Sequence, residues 1–418
     1  MKQELASLEG SCGFFGDADP DGLISTFLAA SFTQTIRFAQ PPTARFTRSP
    51  LDRFDILIAE GMGFRQIAGF DLWQVYQSDE ALEQLEESSI TKLVVFDHHP
   101  SPKQPLFQRR LLILNPYLKE KRTSRCVTDL IFEAIHANAK TSKQDRFWRD
   151  LDAIGIVADR CVEGSQQLIK AVVSDYREFF TGTLANLLDE SVITSQLAND
   201  SEFRRAVDLF WAPYFVEGPA GVLETYRGLL ENEPFDLRDI LSEESDHPVL
   251  SRLGTLRKEM SARIKKMYEK PRRVVELPEG RIVVFEVDGP YQEAYTSNLI
   301  ADANPGWIVV VKTRMNSVSD STRNLLISDS RWLDEKDREE FLSRRLGMKT
   351  IKYSVRRRRP GPNLGRILMD LGVGGGHPEA AGAVVAEEAA GRFENMLVDR
   401  IMEETRAIQG LGQEINAE

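Results

Sequence analysis

The sequence predicts an α/β protein of two lobes, an N-terminal parallel-sheet domain and a smaller C-terminal α/β domain, joined by a helical linker. Three observations predict it. Residues 12–160 alternate short apolar runs with helical patterns, which implies a parallel sheet covered on both faces. Residues from about 165 to 265 read as mostly helical and polar-amphipathic. Strand character then resumes, and at 418 residues the chain is too long for one ordinary core. The expected boundaries are 1–195, 196–270 and 271–405, with 406–418 as a tail that frays from Gly410.

In order, Ser11 to Phe15 reads as a strand and Leu23 to Phe32 as the helix that follows it. Asp55 to Ala59, Lys92 to Phe96 and Leu111 to Leu114 are further strands, the last stopped by Asn115-Pro116. Thr128 to Ala137 is apolar at helical spacing, and Phe203 to Trp211 and Leu253 to Met267 are helical patterns of the linker. In the second lobe, Arg273 to Leu277, Ile282 to Phe285 and Trp307 to Val311 read as strands, with Gly280 in a turn. The stretch from Asp320 to Met348 carries Trp332 and much charge and is given no element.

Composition narrows the class. No apolar run approaches the ~20 residues a membrane span needs, and residues 1–11 show no signal-peptide pattern. The three cysteines, Cys12, Cys126 and Cys161, form no CxxC pair, which fits a reducing cytoplasm. The net charge of -11 argues against a nucleic-acid coat, so local charge matters more than the total.

In parallel sheets, ligands bind outside the carboxyl ends of the strands. Chemistry-bearing residues occur at those ends: Asp17, Asp19 and Asp21 after the first strand, Glu60 after the second, and Asp97, His98 and His99 after the third. A single histidine is usually a solvated or hydrogen-bonded side chain. Here two of five histidines follow an aspartate at a buried strand end, which points to a metal site. Three carboxylates in the turn Asp17 to Gly22 would repel one another without cations. An EF-hand calcium loop does not fit, because core-like Leu23, Ile24 and Phe27 follow. Asp159 ends another apolar stretch and adds a carboxylate; alone it could cap or turn. Mixed His/carboxylate ligands suit Mn²⁺, and also Zn²⁺ or Mg²⁺. Two ions roughly 3.5–4 Å apart are a common solution for phosphoester hydrolysis.

The second lobe carries Gly374-Gly375-Gly376-His377, followed by Pro378, Glu379, Ala380, Ala381 and Gly382. It reads as a loop whose glycines let backbone amides approach a phosphate, with His377 donating to it. Arg356 suits a phosphate oxygen pair. Arg357 to Arg359 read equally as a solvated basic edge or as an attractor of a polyanion.

Taken in this order, these motifs resemble the DHH/DHHA1 phosphoesterase superfamily, which includes RecJ-type exonucleases, nano-RNases with pAp phosphatase activity and cyclic dinucleotide phosphodiesterases. The resemblance spans both lobes; Gly16 to Gly22 and Ala153 to Asp159 look RecJ-like. It implies that Asp19 and Asp21 each bind one of two Mn²⁺ ions, Mg²⁺ being the alternative, and that His98 and Asp159 complete one shell. It implies further that Asp97 and His99 support the centre or contact substrate, while His377 and Arg356 hold phosphate. Two departures stand out. Phe15 occupies the place of a first-motif histidine, for which Asp17 could compensate, and Glu60 stands where the family usually has a bridging aspartate.

The expected function is metal-dependent hydrolysis of terminal phosphodiester bonds of short single-stranded nucleic acid. The alternatives are a small-nucleotide phosphatase or phosphodiesterase acting on pAp or a cyclic dinucleotide, and a degenerate member that binds nucleic acid or a replication partner without hydrolysis. The expected partner is a single strand, a short oligonucleotide or a small nucleotide, with no membrane and with a homodimer left open.

Overall fold

A computed structural model of the protein describes residues 12–33, 36–40, 56–60, 66–67, 70–71, 91–98, 111–116, 125–180, 184, 193–199, 201–242, 245–269, 271–289, 292–314 and 350–415. His99 and the stretch from Asp320 to Met348 lie outside the described residues, as do the side chains of Phe15 and Glu60. The chain divides into two compact units, one containing the described residues up to Arg257 and one those from Lys258 onward.

The first unit is built on five parallel strands: β1 (Cys12–Gly16), β2 (Ile36–Gln40), β3 (Ile56–Glu60), β6 (Lys92–Phe96) and β7 (Leu111–Leu114), in the spatial order β2-β1-β3-β6-β7. A separate pair of two-residue strands, β4 (Gln66–Ile67) and β5 (Phe70–Asp71), follows β3. The four apolar runs expected as strands are all in the sheet. The sequence reading missed β2, a sheet-edge strand in which polar Arg37 and Gln40 interrupt the apolar residues.

Helix α1 (Pro20–Thr33) leaves β1, and α2 (Val127–Ile135) and α3 (Ser142–Ala158) pack against it and each other. Thr141 starts α3 by accepting the Gln144 amide at its hydroxyl, 3.1 Å away. Leu23, Ile24, Leu28, Val127, Ile131, Leu151 and Ile154 are buried in this layer, which explains why these helices carry apolar positions at spacings of three and four. Helices α4 (Gln166–Asp175), α5 (Ser195–Asn199), α6 (Phe203–Glu217), α7 (Pro219–Glu231) and α8 (Leu237–Leu241) follow. Helices α6 and α7 pack on α1, and α6 also on α3, so the helical stretch up to Arg257 clusters with the first unit. Helix α9 (Pro248–Tyr268) begins in the first unit and ends in the second.

In the second unit, strands β8 (Arg273–Leu277) and β9 (Gly280–Val287) pair antiparallel, and Gly280, expected in a turn, is the first residue of β9 opposite Leu277. Helix α10 (Glu293–Ala303) then crosses to β10 (Trp307–Arg314), which is parallel to β9. Strand β11 (Thr350–Arg356) is followed by α11 (Leu364–Asp370), β12 (Gly374–His377), β13 (Ala380–Ala386) and α12 (Ala390–Ile415). The six strands form one mixed sheet ordered β12-β13-β11-β10-β9-β8. One face of this sheet buries Tyr353, Val355, Ile367 and Leu397 in one core, and the other buries Val283, Phe285, Ile300 and Val309 in a second. Two further findings differ from the sequence reading. The last helix runs on to Ile415 rather than fraying from Gly410, and the glycine run is an edge strand paired with β13 rather than a loop. Small residues on both strands explain the pairing: Gly375 sits opposite Gly382 and Gly376 opposite Ala381, so the backbones meet with almost no side chain between them.

Candidate metal centre

Parallel register sets the first half of the site. Gly16, Glu60, Phe96 and Leu114 lie in one row across β1, β3, β6 and β7. The residues at or just beyond that row therefore gather at one sheet edge: Asp17, Glu60 and Asp97. Strands β2 and β3 flank β1 on opposite sides, which makes this edge a topological switch point, where open α/β sheets bind ligands.

The turn after β1 is built tightly. A Cβ at Gly22 would lie 2.3 Å from the Asp17 carbonyl oxygen, so only glycine fits. Asp19 accepts the Gly22 amide at its carboxylate, 2.9 Å away, and its carbonyl accepts the Leu23 amide, so it caps α1 just ahead of Pro20. The Asp17 carboxylate accepts the Ala18 amide at 2.6 Å. Burial, and then the neighbouring charges of Asp17, Asp21 and Asp159, push the Asp19 carboxyl well above the usual carboxylate range. That is the electrostatic state expected of a carboxylate cluster that cations would relieve.

Asp97 and His98 are buried at the end of β6, and the Asp97 carboxylate accepts the His98 amide at 2.9 Å. His98 Nδ1 is 3.4 Å from Asp159 Oδ2. Asp159 arrives from a helix end. It terminates α3, and the Cys161 amide bonds the Ile156 carbonyl while the Arg160 amide bonds that of Val157, the paired reverse bonds of a Schellman turn. Arg160 occupies the left-handed position with φ 61°, where glycine is usual. This turn folds Cys161 back over the end of its own helix, so that Sγ lies 3.2 Å from Asp159 Oδ2. His98, Asp159 and Cys161 thus place one ligand atom each within 4.8 Å of one another. This imidazole, carboxylate and thiol, beside the carboxylate cluster, fit a divalent cation. The Cys126 thiol also reaches Cys161, and burial pushes it up. For Cys161 that contact acts downward, but burial and Asp159 outweigh it and the thiol is pushed up to about 12.

The structure gives Asp21 a second task. Its carboxylate accepts the Thr128 amide at 2.9 Å, the Thr128 hydroxyl at 2.6 Å and the Val127 amide at 3.3 Å, and so holds the N-terminus of α2. An ion held by Asp21 would share it with these three donors.

Two buried aspartates behind this contact escaped the sequence reading. Asp129 accepts from Arg125 Nε at 2.6 Å and from the Ser165 hydroxyl at 2.9 Å. Asp152 is fully buried, and neither of its carboxylate oxygens has a hydrogen-bond partner among the described residues. Burial, then Asp129 and Asp21, push its carboxyl well up, against the opposing pull of Arg125. Asp152 precedes Asp159 by seven residues, two helical turns, so reading 142–158 as one helix would have put both on one face. Cys161 escaped because no spacing motif joins it to His98 or Asp159; only the Schellman turn does.

In the second unit, antiparallel register sets Arg356, Ala380 and His377 in one row across β11, β13 and β12. The Arg356 guanidinium donates to Asn298 Oδ1 at 2.9 Å and to the Ala381 carbonyl at 3.1 Å. The arginine run then divides. Arg357 is buried and ties the Pro362 and Arg359 carbonyls, Arg358 pairs with Asp302, and Arg359 is exposed. Two of the three undecided arginines therefore hold the unit's own turn and helix together.

Comparison with solved structures bears on the whole chain. RecJ in complex with Mn²⁺ from Thermus thermophilus superposes at a TM-score of 0.57 with 17% identity, over 96% of this chain and 53% of that one. An exonuclease RecJ bound to manganese superposes at 0.52 with 19% identity, over 95% and 92%. A DHH domain from a member of a ribosomal-protein family superposes at 0.58 with 12% identity, over 94% and 87%. The chain shares its fold with these RecJ and DHH-domain structures. The chain spans about half the length of the Thermus RecJ chain. No family model and no curated protein matches the sequence. In this fold, the parallel sheet carries the Asp97-His98 strand end and the mixed sheet carries the Gly374 to His377 strand. Among the described residues, no helix is long and apolar enough to cross a membrane.

Proposed function

We propose that the protein is a metal-dependent phosphoesterase that hydrolyses terminal phosphodiester bonds of short single-stranded nucleic acid. The observation that carries this reading is the convergence of His98, Asp159 and Cys161 beside the Asp17–Asp19 turn at the carboxyl edge of a parallel sheet. In the proposal, Asp17, Asp19, Glu60, Asp97, His98 and Asp159 hold two divalent ions, Mn²⁺ or Mg²⁺, with Asp21 shared between the centre and α2. Bound there, the ions would supply an acidified water and positive charge for the attacked phosphoryl group. Asp97 orients His98 by accepting its amide, and the buried strand end limits water around the imidazole. His377 and Arg356 hold substrate phosphate, and those amides of Gly374 to Gly376 that face away from β13 approach it closely. His99 is assigned to substrate contact.

The test offers purified full-length protein, with Mn²⁺, 5′-labelled and 3′-labelled oligomers, pAp and cyclic dinucleotides. Release of nucleoside monophosphate from the oligomers is expected, with at least about a hundredfold loss in His98→Ala, the scale of removing a catalytic-site group. Turnover of pAp or a cyclic dinucleotide alone would replace the substrate class. No turnover of any substrate, together with no bound metal, would sink the enzyme reading. A second reading, a non-hydrolytic nucleic-acid binder, draws on the departure at Glu60 and on the capping role of Asp21. Oligomer binding without turnover would support it.

A further inference from the structure

The thiol of Cys161 is not among the ion ligands assigned above, yet it sits inside the ligand cluster. Its sulfur lies 3.2 Å from Asp159 Oδ2, and that oxygen lies 3.4 Å from His98 Nδ1. Zinc-type bonds of about 2.0–2.3 Å at near-tetrahedral angles put neighbouring ligand atoms about 3.4–3.6 Å apart, and right angles put them about 3 Å apart. Both spacings to Asp159 fall in or beside that range, and the sulfur and the imidazole ligand atom lie within 4.8 Å of each other, so a small inward shift of side chains brings all three onto one ion. The Schellman turn that follows α3 fixes this arrangement, and Arg160 adopts the left-handed conformation to complete it.

We propose that Cys161, as a thiolate, is a third protein ligand beside His98 and Asp159, and that this position takes a soft divalent ion such as Zn²⁺ in preference to Mn²⁺. The inference rests on the metal-centre reading given above. A thiolate favours Zn²⁺, and Mn²⁺ stands at the weak end of the divalent series for nitrogen and sulfur donors. The thiol proton that now points to Asp159 leaves to solvent when the ion binds. Cys126 lies in contact with Cys161 but outside the three-atom cluster, which makes it the natural control.

The test uses the full-length protein, stripped with chelator and titrated with Co²⁺. The wild type is expected to show visible ligand-field bands together with a near-ultraviolet thiolate-to-cobalt charge-transfer band. Cys161→Ser should lose the charge-transfer band and keep the visible bands, and Cys126→Ser should keep both. Competition should show Zn²⁺ displacing Mn²⁺, with Cys161→Ser narrowing the Zn²⁺ preference about tenfold or more. X-ray absorption of the wild-type zinc form provides a check that needs no variant, and should show a sulfur neighbour at about 2.3 Å. Co²⁺ binding without the charge-transfer band, or a band lost in Cys126→Ser but not in Cys161→Ser, overturns the Cys161 assignment and leaves the metal centre standing. No Co²⁺ or Zn²⁺ bound by the wild type overturns both.

Discussion

Asp150 and Asp152 are buried two positions apart on one helix and do opposite things. Asp150 is fully engaged: it accepts from the Tyr176 hydroxyl and, at 3.0 Å, the Leu237 amide, and it pairs with Arg149 at 3.1 Å. Asp150→Ala leaves those donors without their acceptor, and the expected loss is about 3–5 kcal/mol of unfolding free energy, read by urea denaturation. Asp152 has no hydrogen-bond partner among the described residues, and burial beside Asp129 and Asp21 raises its carboxyl. The folded state therefore keeps a proton that the unfolded chain releases at an ordinary aspartate pH. Stability from this group is fully present below the unfolded value and falls as pH rises through the raised folded one. Asp152→Asn removes that fall, so the variant's stability relative to the wild type should grow between pH 5 and pH 8. Parallel curves in urea melts at the two pH values would refute the assignment.

Helix contacts decide which side chains reach the centre. Helices α2 and α3 meet where Gly155 faces Thr128, and a Cβ at Gly155 would lie 2.5 Å from the Thr128 hydroxyl oxygen. That close approach lets Thr128 bond Asp21. Gly155→Ala should cost about 1–3 kcal/mol by overpacking and displace Thr128 from Asp21. The readouts are a lower melting temperature and, under the metal-centre reading, weaker Mn²⁺ binding by equilibrium dialysis; a variant that matches the wild type in both would show that the contact is unimportant. The same scale explains why element types were legible and some details were not. Apolar runs such as Leu93 to Phe96 and helical spacing such as Val127 to Ile135 are local signals. An edge strand such as β2, or a glycine strand such as β12, forms because a neighbour supplies its hydrogen bonds, and nothing in its own pattern announces that.

Across the whole molecule, the sheet brings the strand ends together, and Glu60 is where that matters most. Register puts it between Gly16 and Phe96 in the row that leads into Asp17 and Asp97. Under the proposed function, Glu60→Asp shortens the carboxylate by one methylene; a rise in kcat with Mn²⁺ marks Glu60 as a ligand held at the wrong reach, and unchanged kinetics place it outside the centre. Asp97, His98 and Asp159 were legible as candidates because charged residues rarely end buried apolar runs without a partner. The superfamily resemblance was legible in part for the same reason, since the Asp17 to Gly22 and Asp97-His98 motifs follow strand ends. What the sequence by itself determined is which residue types stand at the carboxyl ends of the strands, because the alternation of strand and helix fixes those positions locally. Only the tertiary structure decided that Asp21 seats α2, that Asp152 is left without a hydrogen-bond partner among the described residues, and that Cys161 joins His98 and Asp159. Each depends on helices and strands far apart in the chain meeting at one point, and in the case of Cys161 on a turn whose direction is set by hydrogen bonds rather than by spacing.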